Sequence, residues 1–158
     1  MMVSFQARRT KAGTELAMAI NCDGRTFVDE GERYDRGMKC RRQVLGDAWV
    51  DKAQAGRTPF NTEFQEFITR YAWGEVWTRP HCDERTRRVL VIGTMIALDK
   101  WDEFRMHVRA ALTEGGFTAD DIKEIILQQA IYCGVPAANH AFKEAGTIIA
   151  ELGRYESD

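Results

Sequence analysis

Between residues 32 and 152 apolar side chains recur at spacings of three and four, and no run alternates apolar and polar residues as a half-buried strand does. A chain so patterned has to bury its apolar stripes by packing helix on helix. The stops are equally regular. Gly46 and Gly56 end predicted helices over 32–44 and 47–55, and Thr58-Pro59-Phe60-Asn61 makes a turn. Asn61 or Thr62 is placed to cap a helix reaching Ala72. Residues 73–80, with Trp73, Trp77 and Pro80, read as an irregular aromatic loop.

Asp83 stands where an N-cap opens a helix over 84–98, whose second half is apolar on nearly every side and is expected to be central and buried. The next helix, from Trp101 to the Gly115-Gly116 stop, sets Trp101, Phe104, Val108 and Ala111 on one face. Thr118 with Asp121 three residues on resembles a capping box for a helix ending near Tyr132. Gly134 breaks that helix, and Pro136 suits the first turn of the last one. The fold class is all-α, a single-domain bundle of about six or seven helices over 31–158, preceded by an arm of residues 1–30 without clear period. At 158 residues one core suffices.

A formal net charge of −2 argues against nucleic acid as a partner, because phosphate binding calls for a basic excess. No apolar run approaches the ~20 residues that span a bilayer. The patch near Leu16–Ile20 is too short and polar-flanked for a secretion signal, which leaves a cytoplasmic location as the expectation. Cys22, Cys40, Cys82 and Cys133 form no CxxC pair, so no metal cluster of zinc-ribbon type is expected, and free thiols are.

Three features are able to carry chemistry. Lys100, Glu103 and His107 share a helix stripe; they make either an exposed ion-pair ladder or an imidazole oriented and kept basic by Glu103 as a general acid. Arg85, Arg87 and Arg88 crowd a helix N-terminus, where cations oppose the macrodipole. An anionic ligand, solvent or acids of a neighbouring subunit would each account for them. The 73–80 stretch, with two tryptophans around Glu75, suits a small-molecule pocket or a subunit contact. His81 and His140 read as surface residues.

Four stretches lie in one order and spacing that resembles the γ-carboxymuconolactone decarboxylase family. They are Arg41-Arg42-Gln43-Val44-Leu45-Gly46, Tyr71-Ala72-Trp73-Gly74-Glu75-Val76-Trp77, His107-Val108-Arg109-Ala110-Ala111-Leu112 and Tyr132-Cys133-Gly134-Val135-Pro136-Ala137-Ala138-Asn139. The resemblance covers about residues 33–152 and implies an alkylhydroperoxidase-like helical fold assembled as a homo-oligomer, a hexamer. The wider superfamily's C-x2-C-x3-H motif falls on Lys100, Glu103 and His107 here. The histidine remains and both thiols are gone, which removes thiol peroxidase chemistry.

The implied reaction is cofactor-independent loss of carbon dioxide from 4-carboxymuconolactone, a small dicarboxylate lactone, giving β-ketoadipate enol-lactone in aromatic breakdown. The expected site has His107 as proton donor, Glu103 as its orienting partner, and Arg87 for a carboxylate or the enolate. Glu75 and Trp77 are expected to line the pocket, with Tyr132 and Asn139 as further hydrogen-bond donors. Action on another activated lactone or keto acid, or a non-catalytic oligomer binding a small acidic ligand, are the alternatives.

Overall fold

The computed structural model describes residues 29–154; the arm of residues 1–30 falls almost entirely outside them, as does Cys22. Seven α-helices follow one another, and the described residues contain no strand: α1 (Glu30–Leu45), α2 (Asp47–Ala55), α3 (Thr62–Ile68), α4 (Glu84–Ala97), α5 (Trp101–Thr113), α6 (Ala119–Cys133) and α7 (Val135–Glu151). The sequence breaks fall where the chain turns. Gly46 and Gly134 have φ of 84° and 88°, a region open to glycine, and each joins two helices directly. Asp83 caps α4 by accepting from the Thr86 N–H, and the Thr118–Asp121 capping box on α6 is complete.

Residues 73–80 differ from their sequence reading. In place of an irregular loop, α3 runs on as a π-helical segment, Thr69–Val76, with the Trp77 N–H bonded to the Ala72 carbonyl at 2.9 Å. The wider turn brings Thr69, Trp73 and Gly74 together on the buried side. Against that side lies α1, so close that a Cβ on Gly37 would stand 2.0 Å from the Thr69 carbonyl oxygen, and one on Gly74 would stand 2.3 Å from that of Arg33. Glycine at both positions is what lets the two backbones meet.

The apolar core divides in two. The larger part draws on α4 to α7: Ile92 and Ile96, Phe104 and Val108, Ile122 and Ile126, Ala141 and Ile148, with Phe117 from the α5–α6 connection. The smaller part, Val44, Leu45, Val50, Trp73 and Ala110, seats α1, α2 and the π segment on α5. Only one stripe of α4 is buried, Arg88, Ile92, Gly93 and Ile96, whereas Leu90 and Leu98 face outward; the all-round apolar character of this helix does not make it central. Trp73 and Trp77 stack on each other at 4.9 Å, Trp73 buried and Trp77 half-buried. The aromatic rings left outside include Phe60, 98% exposed, with Phe64, Phe67 and Tyr71 close by in the chain and Trp49, Tyr132 and Phe142 elsewhere.

Candidate functional site

Two buried polar groups mark the seam between the two parts of the core. Arg88 on α4 is 1% exposed and His107 on α5 is 8% exposed. Helix phase explains both placements. Arg88 precedes Ile92 and Ile96 by one and two turns, and His107 adjoins Val108 on the inner side of α5. The Arg88 Nε and Nη2 donate to the Glu84 Oε1 at 3.0 and 2.8 Å, and the second Glu84 oxygen accepts from the Gln43 side chain of α1 at 2.9 Å. That leaves Arg88 Nη1 and His107 Nδ1 buried without a hydrogen-bond partner. Burial, and then the positive charge of Arg88, push the His107 pKa down from 6.5 to about 4. Its imidazole is neutral at pH 7.

Glu84 also lines a pocket of about 230 Å³ together with Arg36, Lys39, Cys40, Gln43, Val44, Trp77 and Thr78. Its walls come from α1, the end of the π segment and the start of α4, so the pocket opens above the Glu84–Arg88 pair. Cys40, inside it, has its thiol pKa raised by burial and by Glu84, against the pull of Arg87 and Arg88. Arg36 is partly spent: its Nε donates to the Gly74 carbonyl at 2.8 Å, and its Nη2 lies 3.9 Å from Glu75. A second and larger hollow of about 620 Å³ between α2 and α5 is lined by Trp49, Met106 and a mixed-charge rim. Its lining includes neither Glu84 nor the residues bonded to it.

The expected site residues are only partly brought together. His107 and Trp77 belong to the seam and the pocket. Glu75 sits beside them, 3.9 Å from both Arg33 and Arg36. Glu103 is exposed, and the charge acting on His107 comes from Arg88, so the imidazole is made less basic where a Glu103 partner was expected to make it more so. The Arg87 guanidinium is turned to the chain before α4, donating to the Cys82 and Arg79 carbonyls at 3.1 and 3.2 Å, while its neighbour Arg88 faces inward. Tyr132 and Asn139 are exposed, as are Lys100 and His81. His140 is half exposed, stacked on Trp101 at 4.1 Å and paired with Glu144 at 3.3 Å. Among the described residues no three His, Cys, Asp or Glu side chains gather as a metal-holding set, and no helix is long and apolar enough to cross a membrane.

Glu84, Gln43 and Lys39 are not among the site residues expected from the sequence, and of Arg85, Arg87 and Arg88 the expectation falls on Arg87 where Arg88 is the buried one. For Arg88 a signal was present, the four-residue step from Ile92 and Ile96. For the α1 residues there was none, because that helix carries few apolar positions from which to set its phase.

In chemical terms the arrangement is a cationic, aromatic-sided pocket over a buried guanidinium and a neutral imidazole. It suits a small anion on which negative charge shifts during reaction. A model described as the carboxymuconolactone decarboxylase family matches residues 62–146, from the start of α3 into α7. A 4-carboxymuconolactone decarboxylase of Acinetobacter baylyi is 40% identical over 126 residues, which is 80% of this chain and 93% of the relative. A nitrosuccinic acid decarboxylase of Metarhizium robertsii is 41% identical over 108 residues, 68% of this chain and 75% of that one. A 4-carboxymuconolactone decarboxylase sequence of Pseudomonas putida is 56% identical over 48 residues, 30% of this chain and the whole of that sequence.

Proposed function

The chain belongs to the carboxymuconolactone decarboxylase family, and from that premise we propose that it is a carboxy-lyase removing carbon dioxide from 4-carboxymuconolactone without a cofactor, at the seam holding His107 and Arg88. The observation that carries the reading is this pair of buried polar groups, each with an unpartnered nitrogen, under a cationic pocket. Leaving such groups unpaired costs free energy, which a bound anion would return.

The bond that breaks joins the carboxylate carbon to the ring. Its electron pair passes through the ring double bond into the lactone carbonyl, so carbon dioxide departs and an enolate remains. One proton then adds at the α-carbon, giving the enol-lactone. The substrate holds its own electron sink, and the protein has to steady the enolate oxygen and deliver the proton. Arg88 is the group for the oxygen, since its interaction strengthens as negative charge arrives there. His107 is the group for the proton. It is neutral in the free protein, but a dianion beside it offsets Arg88 and favours the imidazolium, so that the proton is taken up with the substrate.

Nitrosuccinic acid, named for one relative, gives a second reading some support. It too is a small dicarboxylate with an electron-withdrawing group, here nitro. The same groups would serve a nitronate as they serve an enolate. Assembly into a homo-oligomer and a cytoplasmic location belong to the same proposal. The exposed Phe60, Phe64 and Phe67 supply apolar surface for subunit contact. The deciding experiment supplies each acid to the purified chain and measures carbon dioxide against product. One carbon dioxide per enol-lactone, unaffected by chelation and dialysis, is expected. Release from nitrosuccinate alone would select the second reading, and release from neither would end both.

A further inference from the structure

The family reading leaves open how a dicarboxylate is oriented, so that the right carboxylate is lost. Two carboxylates entering one pocket need opposite treatment. The departing one loses its charge in the transition state, so a cation clamped on it favours the ground state and slows the reaction. The one that stays keeps its charge throughout, and a cation there gives affinity and orientation at no cost to the chemical step.

The cations in and behind the pocket are separated accordingly. Arg88 lies behind the lining, held by two hydrogen bonds to the lining residue Glu84. In the lining itself are Arg36 and Lys39, one helical turn apart on α1. Arg36 is already engaged by the Gly74 carbonyl and faces Glu75. Glu84, the carboxylate among the lining residues, is neutralised by Arg88. Lys39 is exposed at the rim and has no ion-pair partner among the described residues. The lining also includes the Trp77 indole, braced by Trp73, a flat wall of the kind a planar ring lies along.

We infer that Lys39 is a specificity-determining residue: its ammonium binds the carboxylate that is not lost and thereby turns the lactone carbonyl and the α-carbon toward Arg88 and His107, with no cation clamped on the departing carboxylate. The substrate class is then a small dianion, and a monoanion of equal shape is discriminated against by this one contact. Lys39 lies in α1, before the stretch that the family model matches, so the selecting group stands outside the segment carrying His107 and Arg88.

This inference rests on the decarboxylase reading, and the test keeps the two apart. Kinetics are measured for wild type, Lys39→Met and Lys39→Arg with the dicarboxylate lactone and with its monoester, methylated on the side-chain carboxylate. For the dicarboxylate, Lys39→Met is expected to raise KM about tenfold with kcat within twofold, the weight of one exposed charge-assisted contact, about 1.4 kcal/mol. With the monoester Lys39→Met and wild type should coincide, and Lys39→Arg should recover most of the dicarboxylate KM. An equal KM for wild type and Lys39→Met on the dicarboxylate overturns the inference, as does an equal rise on both substrates. If wild type releases no carbon dioxide, the decarboxylase reading falls. Calorimetry with cis,cis-muconate, an inert planar dicarboxylate, then decides Lys39 alone: a roughly tenfold weaker Kd in Lys39→Met supports it, and an unchanged Kd removes it.

Discussion

The helices α4 to α7 and the layer formed by α1 with the π segment are built on different principles. The first is an ordinary apolar core, in which Phe104, Val108, Ile92, Ile122 and Ile126 are fully buried and interlock at helical spacing. The second has few apolar side chains inside. It is held by the backbone approach at Gly37 and Gly74 and by arginines: Arg41, 5% exposed, donates to Gln65 and to Thr69, and Arg57 and Arg70 both reach Glu66. The contrast explains the position of the site. A uniform apolar core would exclude polar groups, whereas the seam between an apolar bundle and a polar layer lets Arg88 and His107 be buried while Glu84, the partner of Arg88, lines a pocket.

The sharpest way to break this comparison is to damage each side separately. Phe104→Ala should cost about 3–5 kcal/mol of global stability, the usual penalty for emptying an aromatic site in a packed core. Gly37→Ala should cost about 3 kcal/mol, because the new methyl meets a backbone carbonyl that cannot turn aside. The losses should also differ in kind. By hydrogen exchange, Phe104→Ala should lower protection in α4 through α7 together, and Gly37→Ala should lower it in α1 and the π segment first. Equal, chain-wide loss in both variants would mean that the two parts are one cooperative unit.

A smaller effect sharpens the account of the seam. The His107 pKa is about 4 in the folded chain and 6.5 in the ordinary case, so between those values the unfolded chain binds a proton that the folded chain does not. Stability therefore falls as pH drops through 6.5 toward 4, by on the order of 2–3 kcal/mol from this group, and is fully present above 6.5. Urea midpoints for wild type and His107→Gln at pH 7 and pH 4.5 check it. The wild type should lose more on acidification, and parallel losses would show that His107 is not held neutral.

The same division decides how much was legible in the sequence. In the apolar bundle the period and the caps were sufficient: the spans of α5 and α6 and the all-α class follow from Phe104, Val108 and Ala111 and from the Thr118–Asp121 pair. The stripe of His107 runs beside the apolar face of Phe104 and Val108, and the side chain is buried there. The polar layer gave less. A π-helical register has no apolar signature distinct from a loop, so residues 73–80 read as irregular in the sequence, and the stacking of Trp73 on Trp77 follows from the fold alone. Counting arginines at the head of α4 did not tell Arg87 from Arg88. The phase of Ile92 and Ile96 does. Contacts such as Gln43 to Glu84, 41 residues apart, follow from the fold alone.

The claim at the centre is that the chemistry takes place where Arg88 and His107 are buried together, and one set of assays tests it most directly. Turnover of the dicarboxylate lactone is measured for Arg88→Gln, His107→Ala and Arg87→Gln, with helical content and assembly state confirmed for each. The account predicts that His107→Ala and Arg88→Gln each lower kcat by about 10²–10⁴, the range for a positioned proton donor or an oxyanion contact. Arg87→Gln, which loses only its bonds to the Cys82 and Arg79 carbonyls, should stay within a few-fold of wild type. Near-wild-type kcat in folded His107→Ala and Arg88→Gln, with the loss falling on Arg87→Gln, would contradict it.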